Sequence, residues 1–542
     1  MNCKMKNIWG KLLGLVLGLM LPVVAQAQFL YTTNNSAITI TRYTGSGGAV
    51  IIPSTINGWP VTGIGALAFS GNANLTSVTI PDSVTTIGSH AFGGCFRLAS
   101  VNFRGNPPSL GASVFLGDNH VTVYYLPDST GWGSVFAGRP AVLWNPPMPF
   151  TYEVFNDKVA ITGYIGSDEA VTIPSTINFL PVTFVGRELE QNMAWGNLTS
   201  LTFPNSVSEI GDFTFLGSNL NNIRLNNGLK YIGVGAFAGT GLTNIIIPYS
   251  VTYIGALAFG NCVYLTGFNV NWLNSVYSSK DGVLFNKNQT TLVMYPGGRV
   301  GAYKIPDKVT EIAGGFLGLS YNGAFEYCSG LTSINIGNNV TSIHDGAFIG
   351  CASLTNVVIG NRVKAIGEYS FFDCENLVNI TLGSSVRSIG EEAFLQCYSL
   401  AGVVIPNSVT NIGVQAFLNC SSLASVTLPN QLTSIGPWVF SGCSSLTNIT
   451  IPDSVTNIED GAFGQCYSLT SIIIPSSVTS IGQYAFGDCG GLAGVYFEGN
   501  APTVSWLAFF YANPVAYYLP GTTGWEDFAF MTGLTIMPWP TN

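Results

Sequence analysis

Residues 446–468 read LTNITIPDSVTNIEDGAFGQCYS, and residues 469–491 follow with LTSIIIPSSVTSIGQYAFGDCGG. The same phrase starts at Leu331, Leu354, Leu377, Leu400, Leu423, Leu446 and Leu469, a period of 23 residues without a gap. Looser copies of 22 or 23 residues begin at Leu75, Leu198, Leu220 and Leu242. Self-similarity at a fixed short period marks stacked coils, each unable to bury its apolar side alone.

Within one phrase the residue types assign themselves. Ile449 and Ile451 alternate with Thr450, the period-2 pattern of a short strand with two residues inward and one outward. Pro452 has no N–H to extend a ladder, and Asp453-Ser454 suits a turn. Val455 and Ile458 return to the interior, and Gly461-Ala462-Phe463 reads as a tight helical corner that plugs the core with a phenyl ring. Stacking such coils pairs their strands in parallel at about 4.8 Å. The expected fold is a repeat solenoid with short parallel strands, turns and short helical corners.

The recurring I-P-x-S-V-T-x-I-G-x-x-A-F-x-x-C, as in 405–420 and 474–489, resembles the BspA-like, or Treponema pallidum-type, class of bacterial leucine-rich repeats. A period of 23 lies within the range of about 20–29 residues typical of leucine-rich repeats. With its flanks the resemblance spans nearly all of the chain beyond the leader. It implies an exported bacterial surface protein of the kind that engages other proteins, including by adhesion. It does not imply a particular ligand.

Export is also written in the first 27 residues. Lys4, Lys6 and Lys11 precede an apolar run from Leu12 to Val24, and Ala25-Gln26-Ala27 ends it as a small-residue cleavage signal between Ala27 and Gln28. The apolar run is shorter than the roughly 20 residues of a membrane span, and no later run is long enough, so no transmembrane segment is expected after cleavage. Charged residues make up only 9% of the chain and the formal net charge is −9, so polarity rests on neutral groups. An acidic chain lacks the basic face that nucleic acid requires, and nucleic acid is excluded as a partner.

Longer duplications set the organisation. Tyr31, 38–41 and 52–57 recur as Tyr152, 159–162 and 173–178, while 105–106, 124–127 and 131–132 recur as 499–500, 517–520 and 524–525. Each pair brackets an array, as terminal caps must, because an uncapped solenoid exposes its core and sheet edge. The expected order is a signal peptide at 1–27, a short capped array at 28–145, a Pro-rich joint at 146–149 and a long capped array at 150–542. Residues 265–330 interrupt the long array. There Tyr277–Phe285 and Thr291–Pro296 read as a hairpin turning at 286–289, either a larger structural repeat or a lip on a binding face.

Cys328, Cys351, Cys374, Cys397, Cys420, Cys443, Cys466 and Cys489 share one slot at intervals of 23, with Cys95 and Cys262 in the same slot elsewhere. A reduced, buried column is one reading. Bridged neighbours are another in an exported chain, and a metal site is a third that no His cluster or C-x-x-C spacing favours. His90, His120 and His344 are isolated, and the acidic pairs Glu391-Glu392 and Glu459-Asp460 lie in a variable corner that suits solvation. Neither a phosphate-binding loop nor a nucleophile elbow occurs. No catalytic residue, metal ligand or cofactor-binding residue is nominated, and no cofactor is expected.

The candidate binding surface is the outward strand position. Its members are Thr79, Thr202, Arg224, Ile246, Asn335, Val358, Thr381, Val404, Thr427, Thr450 and Ile473, a row that is largely uncharged and β-branched. Solenoids present such faces to partners. The expected partner is a protein ligand or surface component. The alternatives are a passive envelope or matrix component and a carbohydrate-binding scaffold. Trp132 and Trp525 suit sugar stacking, but their place in the duplicated caps favours a core role. Mass spectrometry of the exported protein should find Gln28 at its N-terminus, and an intact Met1 would overturn the reading of the leader.

Overall fold

The computed structural model describes residues 28–539 except 128, 145–148, 187–194, 196, 318–319 and 322, and, of the side chains, none in 316–322. The leader expected at 1–27 and most of the joint expected at 146–149 lie outside the described residues. The chain forms a parallel solenoid of leucine-rich repeats, in two compact units. Residues up to Ile161 with Pro174–Thr183 make one, and Thr162–Ile173 with Phe184 onward make the other.

In the first unit Gly48–Ile51, Leu75–Ile80, Ser100–Phe103, Thr122–Tyr125 and Arg139–Leu143 pair in parallel, one strand per coil. Trp59–Ile64, Thr86–Ile87 and Ser109–Leu110 form a second, narrower ladder. An antiparallel hairpin, Phe29–Asn34 with Ala37–Tyr43, closes the start. Its two-residue turn places Asn35 and Ser36 at positive φ, the conformation that matches strand twist in tight hairpins.

The second unit repeats this plan. Its main ladder runs through Gly301–Lys304, Leu331–Ile336, Asn356–Ile359, Asn379–Thr381, Gly402–Val404 and Ser425–Thr427. Between the ladders lies one continuous core in which Phe325, Phe348, Phe371, Phe394, Phe417, Phe440, Phe463 and Phe486 stack face to face. At the far end the helix Trp525–Thr532 buries Trp525 and Phe528 against Phe497 and closes that core. Trp132 likewise packs on Phe103, Tyr125 and Phe136, so both cap tryptophans serve the interior.

The corners are not helical, contrary to expectation. In the coil from Leu446, Gly461 and Gln465 both take positive φ (62° and 60°), which stops a right-handed helix within one turn. Glu392 with Gln396 and Tyr484 with Asp488 repeat the pattern. The alternation aims every second N–H at the next coil. Gly461 N donates to Gln483 O at 2.8 Å, Phe463 N to Ala485 O at 2.8 Å and Gln465 N to Gly487 O at 2.7 Å. The residues between them close local turns instead, as Ala462 N does on Glu459 O. The corner is thus a third inter-coil ladder.

The strand expected at Ile449–Ile451 does not form. The main ladder stops at Thr427 and resumes at Ser471, and the narrow ladder breaks between Ile412 and Ser434. Val439 fills the corner slot held by Ala393, Ala416, Ala462 and Ala485 in neighbouring coils, but Val114 fills it in the first unit with the ladders intact, so the residue alone does not account for the break. Ring centroids lie 5.1 Å apart for Phe394–Phe417, but 5.6 and 5.8 Å on the two sides of Phe440. A Cβ on Gly413 would meet Glu391 N at 2.4 Å, whereas one on Gly436 would find nothing nearer than 3.5 Å. The side chains still alternate as expected, with Ile449 and Ile451 buried and Thr450 exposed.

Residues 277–294 hold two antiparallel turns where one was expected. Tyr277–Lys280 pairs with Val283–Asn286 around Asp281-Gly282, so Tyr277–Phe285 folds back on itself. Val283–Asn286 then pairs with Thr291–Met294 around the anticipated turn. Both central residues of the Asp281-Gly282 turn have positive φ, the preference of an Asp-Gly hairpin. By hydrogen-exchange mass spectrometry, the amides of 448–451 should exchange faster than those of 471–474, their counterparts one coil later. Equal protection would refute the break.

Candidate functional site

Each coil contributes one outward strand residue, and the parallel register sets these side by side. Asn335, Val358 and Thr381 are direct neighbours, as are Val404 and Thr427 and, separately, Thr202 and Arg224. Ile246 faces Asn269, and Ile473 faces Tyr496. Val404 is 68% exposed and Ile246 64%, which is high for apolar side chains on a paired strand. Thr450 is exposed but lies outside any ladder, so the row is interrupted there.

Thr79 departs from the expected row. It is only 5% exposed, because the chain itself covers it. Within the first unit, the turn at Asn178-Phe179 lies on the strand face, and Thr79 Oγ1 donates to Phe179 O at 3.4 Å. The Phe179 ring packs 5.3 Å from Trp144 and 6.5 Å from Tyr124, centroid to centroid. A second turn brings Asp157, whose Oδ2 accepts from Ser54 N and Ser54 Oγ, each at 2.9 Å. Arg104 Nη1 donates to Asp157 Oδ1 at 3.0 Å in a largely buried ion pair. The face therefore binds turns that carry an aromatic ring and a carboxylate.

The sequence reading missed the end of the row. In the second unit Ile473, Tyr496, Tyr517 and Met537 are successive register partners. Tyr496 and Tyr517 stack at 4.7 Å with an 8° angle between planes, and Trp539 lies 5.1 Å from Tyr496. The duplicated Tyr-Tyr-Leu-Pro was visible in sequence, but the tyrosines' outward direction needed the register.

The groups with reactive chemistry have structural work. Cys420 Sγ donates to Phe394 O at 3.2 Å and Cys489 Sγ to Phe463 O at 3.0 Å, each reaching the preceding coil. The ten described cysteines are free and buried. Burial pushes the Cys489 thiol up to about 12, which removes the thiolate that nucleophilic chemistry needs. Glu459 Oε1 accepts from Ser434 Oγ and Asp460 Oδ1 from Gln483 N, so this acidic pair tethers corners. His344 Nε2 lies 2.8 Å from Glu311 Oε1 and 3.2 Å from Ser342 Oγ. Among the described residues no three of His, Cys, Asp and Glu gather as a metal site, and no helix is long and apolar enough to cross a membrane.

Asp118 is the outlier. It occupies the cysteine slot of its coil, is buried, and neither carboxylate oxygen has a hydrogen-bond partner among the described residues. Burial raises it to about 6, partly countered by the Arg139 charge.

The sequence profile described as BspA type leucine rich repeat region matches residues 50–132, 191–297, 319–427 and 410–531. A leucine-rich-repeat protein from Eubacterium ventriosum is 23% identical over 80% of this chain and 91% of its own, with a TM-score of 0.47. One from Bacteroides ovatus is 22% identical over 95% of this chain and 98% of its own, with a TM-score of 0.43. The Treponema pallidum leucine-rich-repeat protein is 19% identical over 64% of this chain and 90% of its own, with a TM-score of 0.24. No curated protein matches the chain.

The folded state holds the Asp118 proton more tightly than the unfolded chain, whose carboxyl titrates near 4. That stabilisation is complete below about pH 4 and is lost as pH rises through about 6. Asp118→Asn should therefore melt higher than the parent at pH 8 and with it at pH 4. An unchanged pH dependence of melting would remove Asp118 from the account.

Proposed function

The chain belongs to the BspA-type leucine-rich-repeat family, and from that premise we propose that it is an exported, non-catalytic protein that binds other proteins through the strand face of its solenoid, at or outside the cell surface. The family is one of repeat scaffolds for protein interaction and surface display. The observation that carries the reading is the occupied face of the first unit, where Thr79, Ser54 and Arg104 hold polypeptide turns. A surface that binds backbone carbonyl, aromatic ring and carboxylate within the chain has the chemistry to bind them on a partner. Burial of the thiols and the tethering of acidic residues into corners favour a scaffold over an enzyme. We further propose that 28–145 and 150–542 are separately capped arrays, with the leader leaving at Gln28.

Surface adhesion is the specific role we favour, because the row from Asn335 to Thr427 is neutral, extended and exposed except at the half-buried Val358, in the manner of a protein contact. Paired Val404→Glu and Thr427→Glu substitutions put like charges on adjacent strands, at sites whose exposure keeps the folding cost small. Immobilised protein should capture a protein ligand saturably, and the double substitution should weaken capture at least about tenfold, or ~1.4 kcal/mol, with an unchanged circular dichroism spectrum. Capture that is indifferent to these charges, or saturable binding on a glycan array alone, would refute the strand-face reading.

A further inference from the structure

The caps of the two units are copies, and one of them is occupied. Strand register aligns Thr79, Asn102, Tyr124 and Val142 in the first unit with Ile473, Tyr496, Tyr517 and Met537 in the second. Trp144 N donates to Tyr125 O at 2.8 Å, and Trp539 N donates to Tyr518 O at 2.7 Å, which makes the two tryptophans equivalent. In the first unit the aromatic floor of Tyr124 and Trp144 receives Phe179. In the second unit the Ile473 end of the corresponding floor is uncovered among the described residues. Ile473 is 50% exposed, where its counterpart Thr79 is buried, while Met537 and its counterpart Val142 are alike at 46% and 44%.

Resting on the proposed strand-face function, we propose that the platform of Ile473, Tyr496, Tyr517, Met537 and Trp539 is a docking site for a partner protein whose β-turn presents an aromatic side chain, with a basic side chain beside it on that turn or an adjoining one. The aromatic requirement comes from the occupied copy, where a phenylalanine at a turn tip fills this position. The floor in the second unit is the more apolar of the two, with Ile473 and Tyr496 replacing Thr79 and Asn102. It favours a ring inserted deeply over one held by a carbonyl contact.

The basic requirement comes from charge inversion. Ser54 and Arg104 grip the Asp157 carboxylate in the first unit. Their counterparts by repeat position are Asp453 and Glu498, both exposed. Two carboxylates where a donor pair stood repel an acidic turn and attract a cationic one. The same comparison argues against a second copy of this chain as the occupant. The turn carrying Asp157 would meet like charge. In the copied segment at the chain's start, Ser36 stands for Asp157 and Gly58 for Phe179, so both anchors are missing.

The test uses the full chain and two backbone-cyclised hairpin peptides. Both carry the turn 176–181 with Phe179 at its tip, one with lysine and the other with aspartate beside it. The lysine peptide should bind saturably, and about tenfold more tightly than the aspartate peptide. Glu498→Arg combined with Asp453→Ser should reverse that order. Ile473→Asp, at an exposed site, should abolish binding of both with the fold intact. No saturable binding, equal affinity for both peptides, or indifference to Ile473→Asp would overturn the proposal. If Val404→Glu with Thr427→Glu weakens partner capture while Ile473→Asp does not, the strand face remains the binding surface and this platform is not the site. Concentration-dependent self-association that Ile473→Asp abolishes would make a second copy the occupant, and would likewise overturn it.

Discussion

The structure depends on the corner, where a phenylalanine fills the core and its own N–H reaches the next coil. Phe463 N on Ala485 O is one rung of a ladder that requires left-handed residues on each side of the ring. Left-handed backbone is costly for residues other than glycine, about 1–2 kcal/mol each. It persists here because every corner satisfies its neighbour's carbonyls. The phenyl column stacks at 4.6 to 5.8 Å in the second unit, a spacing close to that of paired strands, so ring contact and backbone bonding reinforce one register.

The rest of the composition follows from that register. With coils fixed at strand spacing, short hydroxyl and thiol side chains reach the coil before. Ser454 Oγ donates to Leu432 O, Thr456 Oγ1 to Thr433 O and Cys466 Sγ to Phe440 O. Neutral side chains make most of these links, in keeping with the scarcity of charge. The outward strand side chains point away from this bonding. The chain uses part of that face on itself.

Much of this was legible in the sequence. The period, the phenylalanine column, the inward and outward alternation of the strand positions and the duplicated segments follow from residue spacing alone. The left-handed corners were not legible, because Glu392, Gln415, Trp438 and Tyr484 share a conformation that their residue types do not announce. The cysteine column was recognised, but its hydrogen bond was not, since Sγ reaches a carbonyl 26 residues away only after stacking. The ladder break was not legible, since Val114 holds the same slot as Val439 where the ladders are unbroken. Thr79 read as an exposed residue because its cover lies 100 residues further along the chain.

The claim that corners carry the stack is tested most directly by emptying one. Phe463→Ala removes a ring between Phe440 and Phe486 and should cost about 3–5 kcal/mol. Because coils couple chiefly to their neighbours, hydrogen exchange should quicken around residues 440–489 and stay unchanged in the first unit. No local change, or equal acceleration through both units, would contradict the account.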